Sequence, residues 1–323
     1  TGVRARPRQA EVYVVATDSN EVDILDVRTG EVLARIPVGA RPFFVDFTPD
    51  GRRAFVANSG SNTVSVIDCQ KRRLEATVRV GLAPGLARVS PDGRLVVVSN
   101  RGDSSVSLLD ANSLAILATI PVGAEPEAIA ILADNSKAFI TATGSGQVSA
   151  VDLRRRELLA NIAVGKTPSD LVVKPDGGEL FVANFDSGSV SVINTRTNEV
   201  TEPLPAGQQP ARVLTAPDGQ WLYITNFGSD QIFVLDIATR QLLGSIPVGS
   251  RPDATALTPD GTTLLVANAG SNDLAVVDTR TRSLVTLIPV GNSPRALAVA
   301  AVPSEGKAAA SRSAPLRVLE SRA

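Results

Sequence analysis

Short apolar runs alternate with turn residues along most of the chain, and one cycle sets the pattern. Residues 43–48 (FFVDFT) form an apolar run that ends at Pro49-Asp50-Gly51. Residues 53–58 (RAFVAN) give a second run, followed by the loop Ser59-Gly60-Ser61-Asn62, and residues 63–68 (TVSVID) alternate as a third. A polar turn around Gln70-Lys71-Arg72 leads into residues 73–80 (RLEATVRV), which end at Gly81. Four runs of this length, separated by Pro, Gly, Asn and Asp, predict a four-stranded antiparallel meander. No segment carries the apolar stripe of a ten-residue helix, so parallel strands joined by helices are not expected.

The cycle repeats. Gly-x-x-Pro recurs at Gly39/Pro42, Gly81/Pro84, Gly123/Pro126, Gly165/Pro168, Gly207/Pro210, Gly249/Pro252 and Gly291/Pro294, always 42 residues apart. A fixed period of this size means an array of like supersecondary units. A small sheet that is apolar on both faces must be covered on both. Radial packing around an axis does this and leaves only short edges. The expected fold is therefore all-β: a seven-bladed β-propeller of four-stranded antiparallel blades. Residues 11–16, 21–26 and 31–38 supply three strands of a blade that lacks its first, and residues 295–300 (RALAVA) supply a first strand that lacks the other three. Joining them predicts a composite closing blade. The propeller then spans 10–303, between an arm at 1–9 and an Ala/Ser/Arg-rich tail at 304–323.

Composition narrows the chemistry. Hydrophobic residues make up 43% but aromatics only 4%, a Val/Ala/Leu/Ile mixture suited to packed strands. Lys and Arg number 32 against 33 acids, so no long-range field of one sign favours nucleic acid or an anionic membrane. No apolar run reaches the roughly 18 residues of a membrane span. The chain contains no His, which excludes imidazole bases, His-ligated zinc and His-ligated haem. Cys69 stands alone and can form neither an intrachain disulfide nor a paired-cysteine metal site. There is no Met, even at position 1, so the chain is either processed or trimmed; removal of an export signal is one of the two readings. No cofactor or metal is expected, and the chain is expected to be a monomer.

Polar residues that recur at the same place in most units are assigned to structure. Pro-Asp-Gly at 49–51, 91–93, 175–177, 217–219 and 259–261 is turn chemistry. Asn58, Asn100, Asn184, Asn226 and Asn268 end second strands, and Asp26, Asp68, Asp110, Asp152, Asp236 and Asp278 end third strands; each is placed to bond the following loop.

Departures from the repeat are the candidates for a site, because a fold needs the repeat and a site needs asymmetry. In the innermost strands, charges intrude at Asp46, Arg88, Glu127, Asp170, Lys174, Arg212, Asp253 and Arg295. Asp46/Arg88, Asp170/Arg212 and Asp253/Arg295 are each 42 residues apart, which predicts ion pairs between adjacent blades, or a polar ring at the channel mouth. The loops joining strands four to one and two to three are expected on one face, with Arg41, Phe43, Phe44, Glu125, Gln209 and Arg251. Phe185 and Phe227 stand there where other units have Ser59, Arg101 or Ala269, and are the best candidate contact patch. The opposite face carries basic turns at Lys71-Arg72-Arg73, Arg154-Arg155-Arg156, Arg196, Arg240 and Arg280, most of them expected to be solvated, with weak contact to phosphate or an anionic surface as the sharper reading.

The unit also resembles the YVTN-family β-propeller repeat. Residues 42–81 and 252–291 follow its pattern closely, with TPDG at 48–51 and 258–261, VAN at 56–58 and 266–268, and GSN at 60–62 and 270–272. Ala133-Asp134-Asn135 in place of Pro-Asp-Gly, Ala16 and Ala142 in place of Asn, and Asn194 in place of Asp are local departures. The resemblance implies a periplasmic or cell-surface repeat protein that binds a protein or surface polymer through one loop face. A hydrolase similar to the related lactonase propellers, with Asp and Arg at the channel mouth, is a second reading; no GxSxG elbow or acidic metal cluster supports it. A third is weak binding of single-stranded nucleic acid by Phe185 and Phe227 beside Arg212.

Overall fold

The computed structural model describes residues 11–26, 31–201, 203–258, 260–290 and 294. Every regular element among them is a β-strand. Consecutive strands pair antiparallel into seven sheets, one of three strands and six of four. The first sheet holds Glu11–Ala16, Glu21–Asp26 and Val32–Pro37. The second holds Pro42–Phe47, Arg53–Asn58, Thr63–Asp68 and Arg73–Arg79, and the pattern recurs to Ser283–Pro289 in the seventh. Strand limits thus lie within a residue of those expected from the sequence. The fifth sheet departs from the rest, because its outer strand shrinks to Leu204–Pro205.

The sheets stack face to face in chain order, with the innermost strand of each against that of the next. Phe55, Ala57, Val64 and Val66 of the second sheet bury against Ala87, Val89, Val96 and Val98 of the third. Phe181, Val190 and Val192 of the fifth meet Leu222, Ile224 and Leu235 of the sixth in the same way. Strands two and three are therefore apolar on both faces, as Arg53–Asn58 shows with every position after Arg53 buried. The arrangement is a β-propeller. The predicted closing strand at 295–300, the arm at 1–9 and the tail at 304–323 lie outside the described residues.

The repeated polar residues tie the loops down. Asn58 is fully buried, and its Nδ2 donates to Thr63 Oγ1 at 3.1 Å and Ser65 Oγ at 3.0 Å. Asn100 does the same to Ser105 and Ser107, both at 2.9 Å. This explains the Gly of Gly-x-x-Pro: a Cβ on Gly39 would lie 2.7 Å from the Asn58 amide carbon, and one on Gly165 would lie 2.6 Å from that of Asn184. Gly165 N–H donates to Asn184 Oδ1 at 3.1 Å. Asp68 Oδ1 accepts from Gln70 N (3.0 Å) and Lys71 N (2.9 Å), and these N–H groups hold its carboxyl below the usual range. The Pro-Asp-Gly carboxylates likewise accept from the backbone two residues on, as Asp50 does from Arg52 N at 3.0 Å.

Candidate functional site

The loops that join strands four to one and two to three meet on one face, as expected. Their backbones bond directly: Ser59 N donates to Arg41 O at 3.0 Å, Phe185 N to Thr167 O at 3.0 Å and Phe227 N to Gln209 O at 3.0 Å. Among the described residues, the residue before each repeat proline turns left-handed, with φ of 51° at Arg41 and 52° at Arg251, a strained state held by neighbouring loops. Arg41 N–H donates to Asn20 Oδ1 and Arg251 N–H to Asp230 Oδ1, both at 2.8 Å, so each sheet fixes the loop of the next.

Phe185 and Phe227 come together, with ring centroids 5.9 Å apart and planes tilted by 50°. Each is half-buried, so the pair forms one apolar ridge rather than two free rings. Phe43 is separate and 59% exposed. Arg251 is exposed, and among the described residues its side chain forms no ion pair. Glu127 lies at the rim, 4.0 Å from Arg101 Nη1, and Arg101 also reaches Glu125 at 3.5 Å.

The channel charges pair differently from the simple one-blade rule. Asp46 and Arg88 approach, with Nη1 3.7 Å from Oδ2, while Asp46 Oδ2 accepts the Val89 N–H at 2.9 Å. Arg88 also lies over the Phe44 ring, 4.9 Å from its centroid. Arg212 corrects the expectation. Its ion pair is not to Asp170 but to Asp253, with Nη2 3.7 Å from Oδ1, and its Nε donates to Asp253 O at 2.9 Å. Asp170 instead accepts the Val213 N–H at 3.1 Å. Burial pushes its carboxyl above the usual range, and the charges of Arg212 and Arg88 only partly offset this. Asp253 stands one residue before Ala254, the position equivalent to 170 and 212. Arg295, the expected partner of Asp253, lies outside the described residues.

Two features escaped the sequence reading. The turns between strands three and four are not all solvated. Arg72 donates to Glu11 Oε1 at 2.8 Å, Arg240 pairs with Glu179, and Arg282 lies over Trp221 at 4.7 Å. Lys137 Nζ caps the carbonyls of Thr195 (2.7 Å) and Arg196 (3.2 Å). Position n at the start of a second strand meets position n+61 in the next sheet's turn. That offset, one period plus the span from strand two to the turn, was available from the sequence. The second missed feature is the Arg88–Phe44 contact, which follows from side-chain reach and not from period.

A model of the cytochrome D1 heme domain family matches residues 8–142 and 127–309, nearly the whole chain. The chain belongs to this family. Two overlapping matches are what an internally repeated chain produces. No curated protein matches it. Among solved structures, Kuenenia stuttgartiensis hydrazine synthase superposes with a TM-score of 0.69 at 23% identity, covering 83% of this chain and 92% of that one. A functionally unknown protein from Desulfotomaculum acetoxidans gives 0.70 at 18% identity, covering 85% and 94%. Dihydro-heme d1 dehydrogenase NirN gives 0.75 at 21% identity, covering 89% of this chain and 66% of the NirN chain. At these identities the superpositions speak for the propeller fold.

The family's haem does not fit the residues present. Haem iron is held by His, Cys, Met or Tyr. This chain has neither His nor Met, one Cys and two Tyr. Tyr223 is 2% exposed in an inter-sheet core, and Tyr13 packs edge-on against Phe47 at 4.8 Å between centroids. Cys69 sits beside the same core as Tyr13. Burial pushes both phenols and the thiol up, away from the anionic forms that bind iron.

Proposed function

We propose that this propeller is an exported scaffold, periplasmic or at the cell surface, that presents its loop face to a protein or surface-polymer partner. The observation that carries the reading is the Phe185–Phe227 ridge on the loop face, with Phe43 standing 59% exposed on the same face. Aromatic anchors amid polar and cationic loops are the composition of binding hot spots. The resemblance of the unit to YVTN repeats supports the location and the binding role. Within this proposal the seven sheets close as a seven-bladed ring, residues 295–300 pairing with the open edge of Glu11–Ala16. That closure keeps the propeller rigid and the loop face preorganised. The haem misfit and the absence of an acidic metal cluster among the described residues leave the scaffold reading ahead of catalysis.

The test is capture of a defined partner from the envelope fraction by immobilised propeller. Phe185→Ala combined with Phe227→Ala is expected to abolish capture while the protein keeps its circular dichroism spectrum. Capture that survives the double substitution would rule out this face.

A further inference from the structure

The innermost strands run from the loop face to the turn face, so their last residues line the far end of the channel. There Arg88, Val89 and Pro91 meet the ends of Pro126–Ile131 and Pro168–Val173 around a cavity of about 310 Å³. Its walls are apolar side chains, Ile129, Ile131, Val172 and Val173 among them, and carry one charged group, Arg88. This is the opposite end of the molecule from the Phe185–Phe227 ridge.

Among the described residues, no hydrogen bond from the Arg88 guanidinium is formed, so its donors are open to a ligand. Its nearest carboxylate oxygen, Asp46 Oδ2, lies 3.7 Å away, beyond a hydrogen bond, and that same oxygen already accepts the Val89 N–H at 2.9 Å. Its guanidinium also lies over the face of Phe44, at 4.9 Å, and its charge acts on the Asp170 carboxyl. A guanidinium has five donors in a planar fork that matches a carboxylate. The cavity lies at the small end of ligand pockets, which run from about 300 to 1,000 Å³. A second anionic group would meet apolar wall with no partner, and a cation would meet Arg88.

We propose that this cavity binds a small monocarboxylate with a branched or aromatic apolar tail, its carboxylate on Arg88 and its tail against Ile131, Val172 and Val173. The specificity follows from one fork-shaped cation in an apolar chamber. Asp46, at 3.7 Å, is the nearer competitor for Arg88, and the charge of Asp170 adds to it.

Calorimetric titration of the whole chain with 3-methylbutanoate and with phenylacetate tests this. Saturable binding is expected, weakened at least about tenfold when the acid is replaced by its primary amide, or by Arg88→Gln. Val172→Phe fills the tail space and removes binding, Arg88→Lys retains part of it, and Asp46→Asn strengthens it by removing the competing carboxylate. The acid-against-amide comparison uses the native protein, so it stands even where a variant folds poorly. Absence of saturable binding by both acids overturns the proposal, as does equal affinity for acid and amide. The Phe185→Ala/Phe227→Ala protein should bind the acids normally, which separates this site from the loop-face reading.

Discussion

The loop lattice and the channel are built from the same 42-residue unit, yet their polar groups behave in opposite ways. In the lattice, Asn58, Asn100 and Asn184 each place an amide nitrogen on a pair of hydroxyls, and the surrounding atoms leave no room for a Cβ at the glycine above. In the channel, Arg212 leaves Asp170 for Asp253, and Arg88 keeps a loose ion pair and an aromatic face. The recurring asparagines donate within their own sheet, although the Oδ1 atoms of Asn58, Asn100, Asn226 and Asn268 are buried without a partner, whereas the residues that break the unit reach between sheets. A repeat selects for contacts that each copy can make alike, because every copy must fold against the next. A binding surface needs donors and apolar area held back from the fold.

The sharpest way to break the comparison is to open the core between sheets. Phe181 is fully buried, and Phe181→Ala should cost about 3–5 kcal/mol in denaturant unfolding. A loss below about 1 kcal/mol would mean that the sheets are not closely packed. Next, Asn100→Ala leaves Ser105 and Ser107 buried without their shared donor and should cost about 1–3 kcal/mol. A neutral result would remove the lattice from the account.

Asp170 provides a pH test. Its folded carboxyl is raised, so between the unfolded value of about 3.9 and the folded one the native state binds more protons than the unfolded state. Stability therefore falls as pH rises through that window. Asp170→Asn removes the penalty and should raise the melting temperature at neutral pH, with the gain vanishing below about pH 3.9. A loss of stability at neutral pH would show that the Arg88 and Arg212 charges outweigh burial. The smallest effect is expected on the turn face. A double-mutant cycle on Glu179 and Arg240, which are partly exposed, should give a coupling of at most about 1 kcal/mol.

Most of the fold was legible because the repeat multiplies a weak signal. A single run such as residues 53–58 is ambiguous, but seven copies at one spacing are not, and the strand limits followed to within a residue. The irregular outer strand of the fifth sheet, cut to Leu204–Pro205, was not legible, since the unit there keeps its length and changes only its side chains. The meeting of Phe185 and Phe227 follows from their equal register in consecutive units. Which arginine meets which aspartate did not follow, because period fixes where a Cα sits and a long side chain then chooses among neighbours on both sides. The ion pairs of the partly exposed turn arginines Arg72 and Arg240 were not legible for the same reason: their partners lie in the preceding sheet, at an offset that is not a whole period.

The most direct test of the division between lattice and site compares two residues of one sheet by thermal melting. Asn58 is fully buried and Phe43 is 59% exposed, at the two ends of the same argument. Asn58→Ala should lower the melting temperature by several degrees, as the loss of about 1–3 kcal/mol requires, and Phe43→Ala should leave it within about a degree. Equal losses from the two substitutions would show that Phe43 belongs to the fold, and would contradict the account.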